Sequence, residues 1–88
     1  MQKKFTIVIP IFNEVESIFE LVEEIFFVFK NYQFELLIVN DGSTDTFINE
    51  SKKKFLKKKI NIVSHSTNKG KCVAMLTGIK KSKNNIIC

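Results

Sequence analysis

The only two aspartates of this chain lie in one run, Asn40-Asp41-Gly42-Ser43-Thr44-Asp45, directly after the apolar stretch Leu36-Leu37-Ile38-Val39. An ionised Asp41 only accepts hydrogen bonds, and at a strand end its two oxygens can take N–H groups from the edge of a nucleobase. Gly42 leaves room for close approach. Ser43 and Thr44 can cap a following helix, and Asp45 suits its first turn, where the helix dipole favours an anion. The same residues also make an ordinary turn with an N-cap.

A second candidate is Asn68-Lys69-Gly70-Lys71, which precedes a helical pattern. Free backbone N–H groups and two ammonium groups meeting at a helix start can hold a phosphate. The alternative is a glycine turn with solvated lysines. With glycines only at 42, 70 and 78, the chain lacks the GxxxxGK[ST] spacing, which disfavours a P-loop NTPase. His65 is the sole histidine and reads as a loop bystander rather than a base. The run from Lys52 to Lys59 reads as a solvated helix face. No aromatic stacking pattern accompanies it, so nucleic acid is not expected as a partner.

These residues need elements to position them. Phe5 to Ile9 is a continuous β-rich run that suits a strand buried on both faces, and Pro10 is expected to end its ladder. Asn13 is expected to cap a helix, with Glu16 completing a capping-box-like pair and Ile18, Leu21, Val22, Ile25 and Phe29 forming the apolar stripe. Phe34 to Val39 predicts a second strand. Thr44 to about Lys58 predicts a second helix with Ile48 and Phe55 on one face. Ile60 to Val63 predicts a third strand, and Lys71 to Lys81 a third helix with Val73, Ala74, Leu76 and Ile79 apolar. Asn85 to Cys88 reads as a strand cut off in mid-element, which suggests a fragment.

The order βαβαβαβ with short connections predicts an α/β fold, a three-layer α/β/α sandwich on a mostly parallel, Rossmann-like sheet. All strand C-termini then share one rim, and the loops Pro10–Glu14, Asn40–Asp45 and Ser64–Lys71 converge there.

At 88 residues the chain is at most one small domain. Its formal net charge of +5 is unevenly spread: residues 1–50 carry 3 lysines and 9 acids, and residues 51–88 carry 11 lysines and no acid. The second half therefore suits an anionic partner such as a diphosphate, a lipid headgroup layer or a nucleic acid. The absence of arginine beside abundant Phe, Ile and Asn looks like compositional drift, which discounts part of that signal. Cys72 and Cys88 form neither a CxxC nor a Cys/His cluster, so a zinc site and a disulfide framework are both unsupported. No apolar stretch approaches the roughly 20 residues that span a bilayer. No separate signal-peptide core precedes the first strand.

Taken together, Val8-Ile9-Pro10-Ile11-Phe12-Asn13-Glu14, Ile38 to Asp45 and Asn68-Lys69-Gly70-Lys71 with Ala74 and Gly78 resemble the N-terminal half of a family 2 glycosyltransferase of the GT-A fold. The resemblance spans nearly all of residues 1–88. It implies a nucleotide-diphosphate-sugar donor, a UDP- or GDP-sugar. It assigns Pro10, Phe12, Asn13 and Glu14 to the wall around base and ribose, with Phe12 where an aromatic often stacks. It gives Asp41 the base edge, and it turns Gly70 and Lys71 towards the diphosphate.

The Asn-x-Gly-Lys arrangement is similar to the polyprenyl-phosphate branch, that of dolichyl- and undecaprenyl-phosphate sugar transferases. Where other branches tend to have an Ala-Arg-Asn run, this chain has Ala74-Met75-Leu76-Thr77. That branch implies a lipid-phosphate acceptor, or more broadly a glycan, with inversion at the anomeric carbon. It also implies a cytoplasmic location, at the cytoplasmic face of a membrane with peripheral contact. The family's DxD motif, which would hold Mg2+ or Mn2+, is expected beyond Cys88, and no catalytic residue is expected within residues 1–88. A reading of another class is a non-catalytic basic α/β module that binds nucleic acid or an anionic membrane surface through residues 52–59.

Overall fold

The computed structural model describes residues 4–55 and 60–82 and, for the backbone alone, 85–87. Strand β1 (Phe5–Ile11) leads to helix α1 (Val15–Val28), then β2 (Phe34–Asp41), α2 (Phe47–Lys54), β3 (Ile60–His65), α3 (Lys71–Lys81) and β4 (Asn85–Ile87). The four strands form one sheet in the order β3-β2-β1-β4. Every pairing is parallel.

Alternation along the strands explains the layers, because successive side chains point to opposite faces. Ile7, Ile11, Leu36 and Ile38 face one way and pack with Ile18 and Val22 of α1 and Phe47 of α2. Val8, Leu37 and Val39 face the other way and pack with Ala74 of α3. The outcome is α/β/α, with α1 and α2 on one side and α3 on the other. The chain builds outwards from β1 through β2 to β3, then returns across the sheet through α3 to place β4 on the far side of β1. Right-handed crossovers put the returning helix on the opposite face. The switch of direction lies at β1, the place where open α/β sheets bind ligands beyond their strand ends.

At the opposite end of the strands, Phe5 packs against Phe29, Tyr32 and Phe34 with ring centroids 5.8, 6.3 and 6.0 Å apart. This aromatic cluster anchors the start of β1 and β2 and leaves the rim to polar residues.

Several boundaries differ from the sequence expectation for physical reasons. Pro10 does not end β1, since the ladder runs on through Pro10↔Val39 and Ile11↔Asn40. Among the described residues β4 pairs only with Phe5 to Ile7. Among those residues Pro10 therefore has a ladder partner on the β2 side alone, and a residue without an N–H is tolerated at such a position. Asn13 is not the cap of α1. Glu14 holds that position with no side-chain cap, while Asn13 adopts a left-handed φ of 54° and turns its carboxamide to another loop.

Helix α2 starts at Phe47 rather than Thr44 because Phe47 is fully buried against Phe19, whereas Ile48 is 38% exposed. Asp45 therefore precedes the helix instead of lying in its first turn. Its expected continuation to Lys58 falls partly on residues 56–59, outside the described residues, as does Cys88. Leu21, expected on the α1 stripe, is 42% exposed.

Helix α3 lies on the sheet through its small residues, Ala74 and Gly78, and turns Val73, Leu76 and Ile79 outwards. A Cβ at position 78 would stand 2.4 Å from Val8 Cγ1, so the helix approaches the sheet more closely than a larger residue would permit.

Candidate functional site

Asp41 ends β2 and is only 2% exposed. Its Oδ1 accepts from the backbone N–H of Lys69 at 2.9 Å and from His65 Nδ1 at 2.7 Å. Its Oδ2 accepts from the Gly70 N–H at 2.8 Å and from Asn68 Nδ2 at 3.0 Å. Asn68 Nδ2 also reaches the Asp41 carbonyl, at 3.1 Å. The hydrogen bond from His65 holds the Asp41 carboxyl below its ordinary range; burial opposes this, while the Lys69 and Gly70 amides and the charge of the ring add to it. A carboxylate offers about four lone-pair sites, and four donors occupy them.

His65 ends β3 and stands directly opposite Asp41 in the parallel register. Its other ring nitrogen, Nε2, meets Thr77 Oγ1 of α3 at 2.9 Å. That hydroxyl gives its only hydrogen to the Val73 carbonyl, at 3.0 Å. Asp41, acceptor-only when ionised, receives from Nδ1, and Nε2 stands within hydrogen-bond reach of the Thr77 hydroxyl, so one ring joins the two.

The loops after β1 and β2 are pinned together in a similar way. Asn13 Oδ1 accepts from the Thr44 N–H at 2.7 Å, from Thr44 Oγ1 at 3.3 Å and from the Asp45 N–H at 3.2 Å. In return, Ser43 Oγ accepts from the Asn13 N–H at 3.0 Å. Asp45 receives the Val15 N–H on Oδ2 and the Phe47 N–H on Oδ1, so one carboxylate serves the starts of both α1 and α2. Glu14 Oε1 accepts the Phe12 N–H at 3.2 Å. Gly42, at φ 75°, lies where a Cβ would be 2.5 Å from the backbone of Thr67 and Asn68, so the β2 and β3 loops touch main chain to main chain.

The start of α3 is different. No acid lies in its first turn, Gly70 precedes it at φ 95°, and Lys69 and Lys71 flank that glycine. The first amides of a helix lack acceptors within it, and its dipole is positive there. This helix start opens beside the end of β1 onto a hollow of about 220 Å³ lined by Pro10, Ile11, Phe12, Asp41, Asn68, Gly70, Lys71 and Ala74. A hollow of this size is smaller than the pockets that enclose a whole drug-sized ligand. A larger one, about 340 Å³, lies between α1 and α2 and is lined by Phe19, Glu20, Glu23, Lys54 and Phe55. It borrows nothing from the strand-end loops.

Of the residues singled out from sequence, Pro10, Phe12, Asp41, Gly70 and Lys71 line the strand-end hollow. Asn13 and Glu14 sit in the adjoining loop and spend side-chain oxygens on backbone N–H groups. Sequence reading missed His65 and Thr77. The signal for His65 was its place at the end of a strand beside Asp41, visible only once the register is known. On α2, Lys54 pairs with Glu50 at 3.8 Å and lies over the Phe19 ring.

Among the described residues no group of three or more His, Cys, Asp or Glu side chains could hold a metal ion. The donor chemistry agrees, since Asp41 and Asp45 are engaged by N–H groups. A divalent cation does not fit the described residues, and no step is routed through one.

Comparison with known proteins adds three findings. The pattern of the family described as Glycosyl transferase family 2 matches residues 6–88. The chain is 34% identical over 90 residues to a dodecaprenyl-phosphate galacturonate synthase of Rhizobium johnstonii, an alignment covering 96% of this chain and 26% of that protein. Its fold matches a mannosyltransferase of Pyrobaculum calidifontis, solved in complex with GDP-Man and Mn2+, with a TM-score of 0.81 and 20% identity over 94% of this chain and 25% of that one. The chain thus spans about a quarter of the length of either protein.

Proposed function

The chain belongs to glycosyl transferase family 2, and from that premise we propose that its strand-end rim binds the nucleotide-diphosphate-sugar donor of a transferase whose acceptor is a polyprenyl phosphate. The observation that carries the reading is the contrast among the three helix starts. Those of α1 and α2 are occupied by Asp45, whereas the first turn of α3 carries no acid of its own, is flanked by two lysines and opens onto the hollow, with Asp41 holding the Lys69 and Gly70 amides just before it.

Lys71 and the first amides of α3 meet the diphosphate. Pro10, Ile11 and Phe12 form the apolar wall for base and ribose, and Phe12, 39% exposed, supplies the face on which a base stacks. Asn13 and Glu14 brace that wall. Asp41 organises the phosphate loop, and it bonds a base edge only by releasing one of its four donors. The polyprenyl-phosphate acceptor is supported by the likeness to the dodecaprenyl-phosphate galacturonate synthase of Rhizobium. Such an acceptor already carries its nucleophilic charge, so direct displacement with inversion needs little help from a base. Divalent-metal use is supported by the Pyrobaculum structure and would draw on residues other than those described. No helix among the described residues is long and apolar enough to cross a membrane, and contact with a membrane at its cytoplasmic face belongs to the proposal through the acceptor.

Titration of the chain with GDP and UDP, each against its nucleoside, tests the assignment. Lys71→Ala should raise the Kd of the diphosphate about tenfold, the scale of one charge-assisted hydrogen bond, and leave the nucleoside unchanged. Equal losses for the two would contradict the role.

A further inference from the structure

We propose that His65 is a positioning residue of this site: by bridging Asp41 and Thr77 it fixes where the Lys69 and Gly70 amides and the start of α3 stand relative to the strand ends, and so sets affinity for the diphosphate. The proposal rests on the donor-binding reading above and gives it a mechanical part outside the matched motifs.

The geometry carries it. His65 is the end residue of β3, and its side chain is 10% exposed. Nδ1 lies 2.7 Å from Asp41 Oδ1 on β2, and Nε2 lies 2.9 Å from Thr77 Oγ1 on α3. One rigid ring therefore ties the second strand to a helix whose first turn faces the hollow. The same Asp41 oxygen receives the Lys69 N–H, and its twin receives the Gly70 N–H. Thr77 lies two helical turns from Lys71, so a shift at Thr77 moves the helix start with it.

The ring also gives a hydrogen bond to a buried carboxylate. Without it, that carboxylate would lose a charge-assisted partner and would hold the loop amides less firmly. His65 touches no part of the hollow in the lining described for it, so it acts through Asp41 and α3 rather than on the ligand.

The test uses this chain with His65→Ala, Thr77→Val and Thr77→Ser, followed by amide NMR during titration with GDP, UDP and the two nucleosides. Thr77→Val keeps the shape but removes the oxygen, and Thr77→Ser restores it. His65→Ala and Thr77→Val should each weaken diphosphate binding by about tenfold while nucleoside binding holds, and Thr77→Ser should bind as the parent does. In the ligand-free chain, the Lys69 and Gly70 amide resonances should move in Thr77→Val and return in Thr77→Ser, with those of Leu36 to Val39 unchanged.

Parent-like binding by Thr77→Val, or a Thr77→Ser chain as weak as Thr77→Val, overturns the positioning role. So do equal losses for diphosphate and nucleoside. If the parent responds to neither nucleotide, the donor-binding reading falls. The Lys69 and Gly70 resonances then decide the bridge by themselves: movement that Ser reverses sustains it, and unchanged resonances overturn it.

Discussion

Asp41 has about four lone-pair sites and four donors around it, so it works first as an assembly point for the rim. A carboxylate held this way has a consequence in acid. Its folded pKa lies below the ordinary 3.8, chiefly through the His65 hydrogen bond, so the folded state binds this proton less readily than the unfolded chain does. The stabilisation from Asp41 is fully present above its unfolded pKa and is lost as pH falls from there through the lowered folded value. Denaturant midpoints of the parent and Asp41→Asn should therefore differ most near neutrality and converge on acidification below that window. A gap that stays constant down to the acid limit would contradict this account.

His65 at the same site could not be assigned from sequence. A lone histidine after an apolar run carries no pattern, and its partners come from a different strand and a helix, 24 and 12 positions away. Asn13 was legible as important but not as to its task. Its residue type suits a helix cap, and only the left-handed backbone at φ 54° reveals that it reaches across to the β2 loop instead.

At the scale of elements, the arrangement depends on how closely α3 approaches the sheet. Gly78 lies against Val8 Cγ1 and Val39 Cγ2, at 2.4 and 3.2 Å from an ideal Cβ. Gly78→Ala should cost about 1–3 kcal/mol of stability through overpacking, although alanine is the better helix former. Urea denaturation followed by circular dichroism measures this. A neutral or stabilised variant would mean that α3 sits farther out than described.

The elements themselves were largely readable. The runs Phe5 to Ile9 and Phe34 to Val39, and the helical spacing of Ile18, Val22 and Ile25, predict strands and helices that are present in the expected order. What sequence misjudged were faces and ends. Apolar spacing marks Val73, Ala74, Leu76 and Ile79 on α3, but close approach to the sheet buries only Ala74 of these, together with Gly78. The start of α2 was set by the burial of Phe47, which outweighs the capping chemistry of Ser43 and Thr44. Both are tertiary effects that local patterns do not encode.

At the scale of the whole molecule, topology and charge agree. The sheet changes direction at β1, so the loops after β1, β2 and β3 and the start of α3 converge on one rim. Three acids of the first half brace that rim: Asp45 serves the starts of two helices, Glu14 holds the Phe12 amide, and Asp41 holds the loop from Asn68 to Gly70. Of the lysines of the second half, Lys69 and Lys71 are exposed beside it. This division gives the uneven charge of the sequence a physical meaning, since acids near the strand ends are engaged by N–H groups while ammonium groups face the solvent and an incoming anion.

Mapping amide shifts while the parent chain is titrated with GDP and with UDP shows whether the strand-end rim binds the donor nucleotide. Binding at the rim predicts saturable changes confined to Ile11 to Glu14, Asp41 and Gly42, and Asn68 to Val73 for at least one nucleotide. Changes centred instead on Phe19 to Glu23 and Lys54 to Phe55, or no saturable change with either nucleotide, would contradict it.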